Sequence, residues 1–137
     1  ERVLQGVPSP MPSAELPGLE EGIFDAVDLL ANSLGIDRLS RLVRDINDSF
    51  HTLIAGASAQ ADLAELASQA HKCAGAAAIL GALPLHAAFC ALETTAHGQE
   101  TAQIADRVQR CRLALSLCSG LIESRLNALA RQQATPR

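Results

Sequence analysis

His71 is the residue around which a chemical reading of this sequence can be built. On a helical wheel it points about 120° from the centre of the stripe made by Leu63, Leu66, Ala70, Cys73, Ala77 and Leu80, at about 100° per residue. The ring therefore belongs on the surface of whatever that stripe packs into. One and two turns away stand Ala64, Ser68, Gly75 and Ala78, all small, and Lys72 is its immediate neighbour. Gly75 is the informative member, because a glycine inside a helix costs about 1 kcal/mol relative to alanine. Removing the side chain there would let another protein's surface approach the ring. An exposed, neutral imidazole on a stiff scaffold is a competent nucleophile. The plainer alternative is a surface histidine beside a glycine that merely packs.

A second group competes for attention. His86, Cys90, Glu93 and His97 fall at i, i+4, i+7 and i+11, on one flank of a predicted helix. Facing His and Glu side chains in bundles can hold metals. One ion cannot reach all four, however, since i and i+11 lie about 16 Å apart at 1.5 Å rise per residue. At most His86 with Cys90, or Glu93 with His97, would contribute, and neither pair has an obvious partner helix. A half-exposed polar flank is the better account. His51 reads as a solvated surface residue.

These residues need a helical scaffold, and the composition supplies one. Hydrophobic residues make up 48% of the 137 while aromatics make up 2%, so alanine and leucine carry the apolar content and favour close-packed helices over sheet. Net charge is -4 with no basic run, which lacks the footprint of a nucleic-acid binder. No apolar stretch reaches the roughly 18 residues needed to span a bilayer, and no signal peptide opens the chain. Cys73, Cys90, Cys111 and Cys118 sit at helical spacings without a CxxC pair. They read as reduced core cysteines of a cytoplasmic protein.

Residues 1–18 hold Pro8, Pro10, Pro12 and Pro17 among Ser and Gly, the composition of an interdomain linker. Five helical segments follow: about Leu19–Ser33, Asp37–Ala57, Asp62–Gly81, one with Pro84 in its first turn ending at His97-Gly98, and about Thr101–Ala130. The second aligns Leu39, Leu42, Val43, Ile46, Phe50 and Leu53. The third opens on Asp62 with Glu65 three residues on, a capping-box pattern. The fifth carries a long seam from Ile104 to Leu129 and a second stripe, Leu113, Leu117 and Leu121, expected to pack on the N-terminal helix, the rival reading being a dimer interface or a partner site. The predicted fold is all-α: an antiparallel four-helix bundle with an additional N-terminal helix over 19–131, then a polar tail over 132–137.

Residues 70–82, AHKCAGAAAILGA, resemble the signature of histidine-containing phosphotransfer (HPt) domains, A-H-x-L-K-G-x-A-x-x-x-G-A. Ala70, His71, Gly75, Ala77, Gly81 and Ala82 match, and Cys73 stands where leucine is usual. Cys90-Ala91-Leu92-Glu93 is similar to the C-x-L-E that follows in many members. The resemblance spans roughly residues 19 to 130. It implies that His71 accepts a phosphoryl group from a receiver-domain aspartate and passes it to a second receiver. It further implies that Lys72 offsets phosphate charge, and that Ala64, Ser68, Gly75, Ala78 and Ile79 form the docking face. No cofactor is implied on this chain, Mg²⁺ belonging to the receiver, and neither nucleic acid nor membrane is a partner. The parent would be a hybrid sensor kinase, with no kinase activity in this domain. One position departs from the pattern: the usual lysine three residues after the histidine is Ala74, which the wheel turns toward the core. That substitution keeps open a degenerate module that binds receivers without transfer. A small metal-binding bundle is the third reading.

Overall fold

The computed structural model describes residues 18–134, so the proline-rich stretch read as a linker lies outside the described residues, as do residues 135–137. Five α-helices account for nearly all of it: α1 (Leu19–Leu34), α2 (Ile36–Gly56), α3 (Leu63–Ile79), α4 (Leu83–His97) and α5 (Thr101–Ala134), with a single 3₁₀ turn at Ala57–Ala59 between α2 and α3. The architecture is all-α, a bundle of α2 to α5 with α1 added at the N-terminus. α5 runs four residues past the expected Ala130, a difference within the fraying zone of a helix end.

Residue pairings across the seams give the directions. Asp48 to Leu53 of α2 share a cleft with Gln69 to Cys73 of α3, and Ser40 to Asp48 share another with Glu123 to Ala130 of α5. His71 of α3 meets Glu93 of α4, while Ala74, further along α3, meets His86, earlier on α4. Thr95 of α4 accepts a hydrogen bond from Arg107 Nε of α5 at 3.2 Å. The four helices thus alternate up and down. Phe50 of α2 and Phe89 of α4 meet across the diagonal with ring centroids 5.2 Å apart, and both are buried. Around them lie Leu39, Leu53, Leu66, Leu85, Leu92, Cys111, Cys118 and Ile122. Leu42, expected inward, is instead at the edge of its stripe and exposed.

Three chain reversals set the helices close together. Asp62 caps α3 by accepting from the Glu65 amide at 3.1 Å, but the reciprocal half of the box is not made. Gln60 takes the Asp62 amide, and the Glu65 carboxylate accepts from Gln69 instead. α3 ends in a Schellman turn: the Ala82 amide donates to Ala77 and the Gly81 amide to Ala78. Gly81 has φ +74°, and a Cβ there would lie 2.6 Å from the Gly22 carbonyl oxygen of α1. Backbone conformation and space both demand glycine. α4 ends in the same turn, with Gln99 rather than glycine in the left-handed position.

α1 is held to α5 by Arg125, which donates from Nε and a terminal nitrogen to the two Asp28 carboxylate oxygens at 2.8 Å each. Its guanidinium also covers the Phe24 ring, 5.1 Å from the centroid. The second leucine stripe of α5 is only partly covered. Leu121 packs on the core and Leu117 is half-buried, but Leu113 is exposed beside a groove formed with Pro84, Ala88 and Ala91 of α4. The expectation that α1 covers the whole stripe is corrected: α1 pairs with α5 at Arg125, three turns beyond Leu113.

Gly81→Ala should destabilise the fold by about 2 kcal/mol or more, read by urea denaturation, since a strained φ and a backbone clash coincide. The Arg125 guanidinium holds the Asp28 carboxyl below its ordinary range, chiefly by hydrogen bonding. A carboxyl depressed in the folded state adds stability above its unfolded pKa and loses it as pH falls through the folded value. Asp28→Asn should therefore be less stable than wild type at pH 7, with the gap in melting temperature closing below about pH 4.

Candidate functional site

α3 buries Leu66, Ala67, Ala70, Cys73, Ala74 and Ala77, and turns the opposite face to solvent. Ala64, Ser68, His71, Gly75, Ala78 and Ile79 are all exposed on that face. His71 itself is 76% exposed in its side chain. The structure thus gathers every proposed docking residue on one side of one helix. Ile79 is also 60% exposed, and Leu83, just past the turn, is 62% exposed; together they make the lower end of this face apolar.

Gly75 has no internal purpose. A Cβ built there meets no atom within 4 Å, and its backbone is ordinary helix. Packing therefore does not account for a residue that costs the helix about 1 kcal/mol. The contrast with Gly81, where both φ and space require glycine, is direct.

The sequence reading did not anticipate what holds the ring. Glu93 of α4 reaches across the seam, its carboxylate oxygens 3.3 and 3.2 Å from His71 Nδ1. A carboxylate accepts, so Nδ1 carries the proton and Nε2 presents its lone pair outward. Glu93 is only 24% exposed in its side chain, so this contact is less screened than one at the open surface. On the far side His97 Nε2 lies 3.7 Å from the same carboxylate, too far for a hydrogen bond. The available signal was Glu93 itself, which the spacing puts on one flank with His86, Cys90 and His97 without naming the helix that flank faces.

Lys72 is turned elsewhere. It lines a cleft of about 340 Å³ between α2 and α3 with Asp48, Thr52 and Gln69, and makes no hydrogen bond or ion pair with the described residues. It is the chain's sole lysine. The structure therefore brings His71 to Glu93 and does not join it to Lys72. Ala74, where the family pattern has lysine, is buried at 3% exposure, and its carbonyl oxygen accepts from His86 Nδ1 at 2.8 Å.

That bond changes the account of the α4 flank. His86 is not simply half-solvated: it is tied to α3, and its Nε2 lies 3.6 Å from Cys90 Sγ. Glu93 has a partner helix as well, through His71. Among the described residues no group of three or more His, Cys, Asp or Glu side chains is arranged to hold a metal ion. His51 is exposed on α2. No helix among the described residues is long and apolar enough to cross a membrane.

The chain matches no protein-family model, no curated protein and no solved structure. Its functional reading accordingly stands on the site's geometry and on the resemblance of its motif.

The Glu93 contact makes a spectroscopic prediction. Imidazole ¹H–¹⁵N correlation spectra of the wild type above pH 7 should show His71 in the Nδ1–H form. Glu93→Ala should shift His71 toward the Nε2–H form and leave His86, held by a carbonyl, unchanged.

Proposed function

We propose that this chain is a histidine-containing phosphotransfer module that carries a phosphoryl group on His71 Nε2 between receiver domains. The observation that carries the reading is the ring's setting. Nδ1–H is held by a half-buried carboxylate, and Nε2 has no hydrogen-bond partner among the described residues. The face around it is lined by small side chains, with a glycine that the fold does not need.

The chemistry follows from that arrangement. Nε2 attacks the phosphorus of a receiver's phosphoaspartate; the new P–N bond forms as the P–O bond to the aspartate breaks, and the carboxylate leaves. The product is an N-phosphorylated imidazole that retains its Nδ1 proton and so gains positive charge. Glu93 faces that charge directly. The reverse sequence delivers the group to a second aspartate. Phosphoryl transfer passes through a loose transition state, so alignment and charge neutralisation supply most of the catalysis. This chain contributes the aligned ring, and the receiver contributes Mg²⁺ and its own lysine.

A second reading has its own support. The missing lysine at Ala74 and the turn of Lys72 into the α2–α3 cleft leave no cation fixed beside His71 among the described residues. A module that docks receivers without accepting phosphate would look the same.

Incubation with a panel of phosphorylated receiver domains separates the two. Transfer predicts an acid-labile, alkali-stable label on the wild type and none on His71→Gln. A stable receiver complex with no label on the wild type would establish the docking reading instead. Gly75 gives an orthogonal check, because stability and function should move in opposite directions. Gly75→Ala should raise unfolding stability by about 0.5–1 kcal/mol. Gly75→Leu should slow transfer from a receiver at least tenfold, while phosphoramidate, a donor too small to need docking, still labels His71.

A further inference from the structure

Transfer through His71 and Glu93 leaves a second chemical pair on the same seam unused. One turn before Glu93, Cys90 Sγ lies 3.6 Å from His86 Nε2. His86 Nδ1 lies 2.8 Å from the Ala74 carbonyl oxygen. A carbonyl oxygen only accepts, so Nδ1 carries the ring proton and Nε2 offers a lone pair to the thiol. The pair therefore reads as orienting carbonyl, base and thiol in sequence, the arrangement that activates a cysteine nucleophile. Both side chains are half-exposed.

The other three cysteines provide the contrast. Cys73, Cys111 and Cys118 are buried, and none is hydrogen-bonded to an imidazole. Burial pushes the Cys73 thiol up to about 11 and the Cys111 thiol up to about 12, and raises Cys118 as well. They are core residues with little thiolate character.

The surroundings narrow the chemistry. Cys90 sits in the middle of α4, where backbone N–H groups are bonded within the helix, so no donors are free to form an oxyanion hole. Acyl transfer is thereby unsupported. Thiol–disulfide exchange needs only a thiolate and access to one sulfur. We propose that Cys90 is a modification site for low-molecular-weight disulfides, with His86 as its general base. His86 Nε2 takes the thiol proton as Sγ attacks one sulfur of the disulfide. The Cys90–sulfur bond forms, the original S–S bond breaks, and the departing thiolate recovers the proton from His86. The disulfide is reduced to one thiol plus the mixed disulfide, and no other reactant enters.

The position gives the adduct a consequence, which rests on the phosphotransfer reading. Cys90 stands between the two bridges that tie α4 to α3, His86 to Ala74 and Glu93 to His71. A glutathione-sized adduct there would obstruct a receiver approaching His71.

The test treats the native chain with oxidised glutathione and follows the adduct by intact mass and peptide mapping. The expected result is a single adduct, on Cys90, absent in Cys90→Ser and formed about tenfold or more slowly in His86→Gln. An unchanged rate in His86→Gln, or first reaction at another cysteine, would overturn the proposal. A comparison without any variant guards against a misfolded His86→Gln. Native Cys90 should react faster than the same thiol in the urea-unfolded chain, whereas a merely exposed thiol would react more slowly when folded. On the fully modified protein, transfer from a receiver should fall at least tenfold and return with dithiothreitol; unchanged transfer would refute the regulatory consequence. An unmodified chain that accepts no phosphate overturns the phosphorelay reading instead, and the exchange rates still decide Cys90.

Discussion

Ala67, Ala70, Ala74 and Ala77 form much of the buried face of α3, and their small size lets α4 lie close against it. Every polar contact at the site depends on that proximity. Across this seam the Glu93 carboxylate of α4 reaches His71 Nδ1 of α3. The same closeness lets the His86 ring reach a backbone carbonyl that would lie behind larger side chains. The turn between the helices enforces it, because Leu80, Gly81 and Ala82 reverse the chain in a Schellman geometry that α1 then closes from outside.

Labour is divided across the bundle in consequence. Large side chains fill the centre, where Phe50 and Phe89 meet, and supply most of the apolar burial. The α3–α4 seam carries the contacts that orient His71 and His86. A ring held in one orientation has already lost the rotational freedom that the proposed transfer would otherwise have to remove. Gly75 runs the other way. It costs helix stability without any contact in return, as Gly120 of α5 also does, and what sets it apart is its place one turn from the exposed His71.

Two imidazoles along this seam are oriented alike and by different groups. His71 is held by a carboxylate and His86 by a carbonyl, so both present Nε2. The difference matters when the ring gains positive charge. A carboxylate neutralises that charge as well as orienting the ring, which suits the phosphorylated intermediate proposed for His71. A carbonyl dipole offsets less, which suits a base that holds a proton only briefly.

The sequence by itself determined the helices, their approximate ends, the exposure of His71 and the glycine beside it. Those features follow from periodicity and local propensity, each of which acts within a few residues of the chain. Asp62 at the start of α3 and Gly81 past its end were legible for the same reason. The tertiary structure alone decided that Glu93 belongs to His71, that His86 binds Ala74, that Lys72 faces the α2–α3 cleft and that Leu113 is left uncovered. Such pairings depend on the rotation and separation of two helices, and a flank of polar residues at helical spacing is compatible with several of them. The metal-like spacing of His86, Cys90, Glu93 and His97 shows the limit plainly. Spacing put the four on one flank, and packing joined His86 to Ala74 and Cys90, gave Glu93 to His71 and left His97 without a hydrogen bond to Glu93.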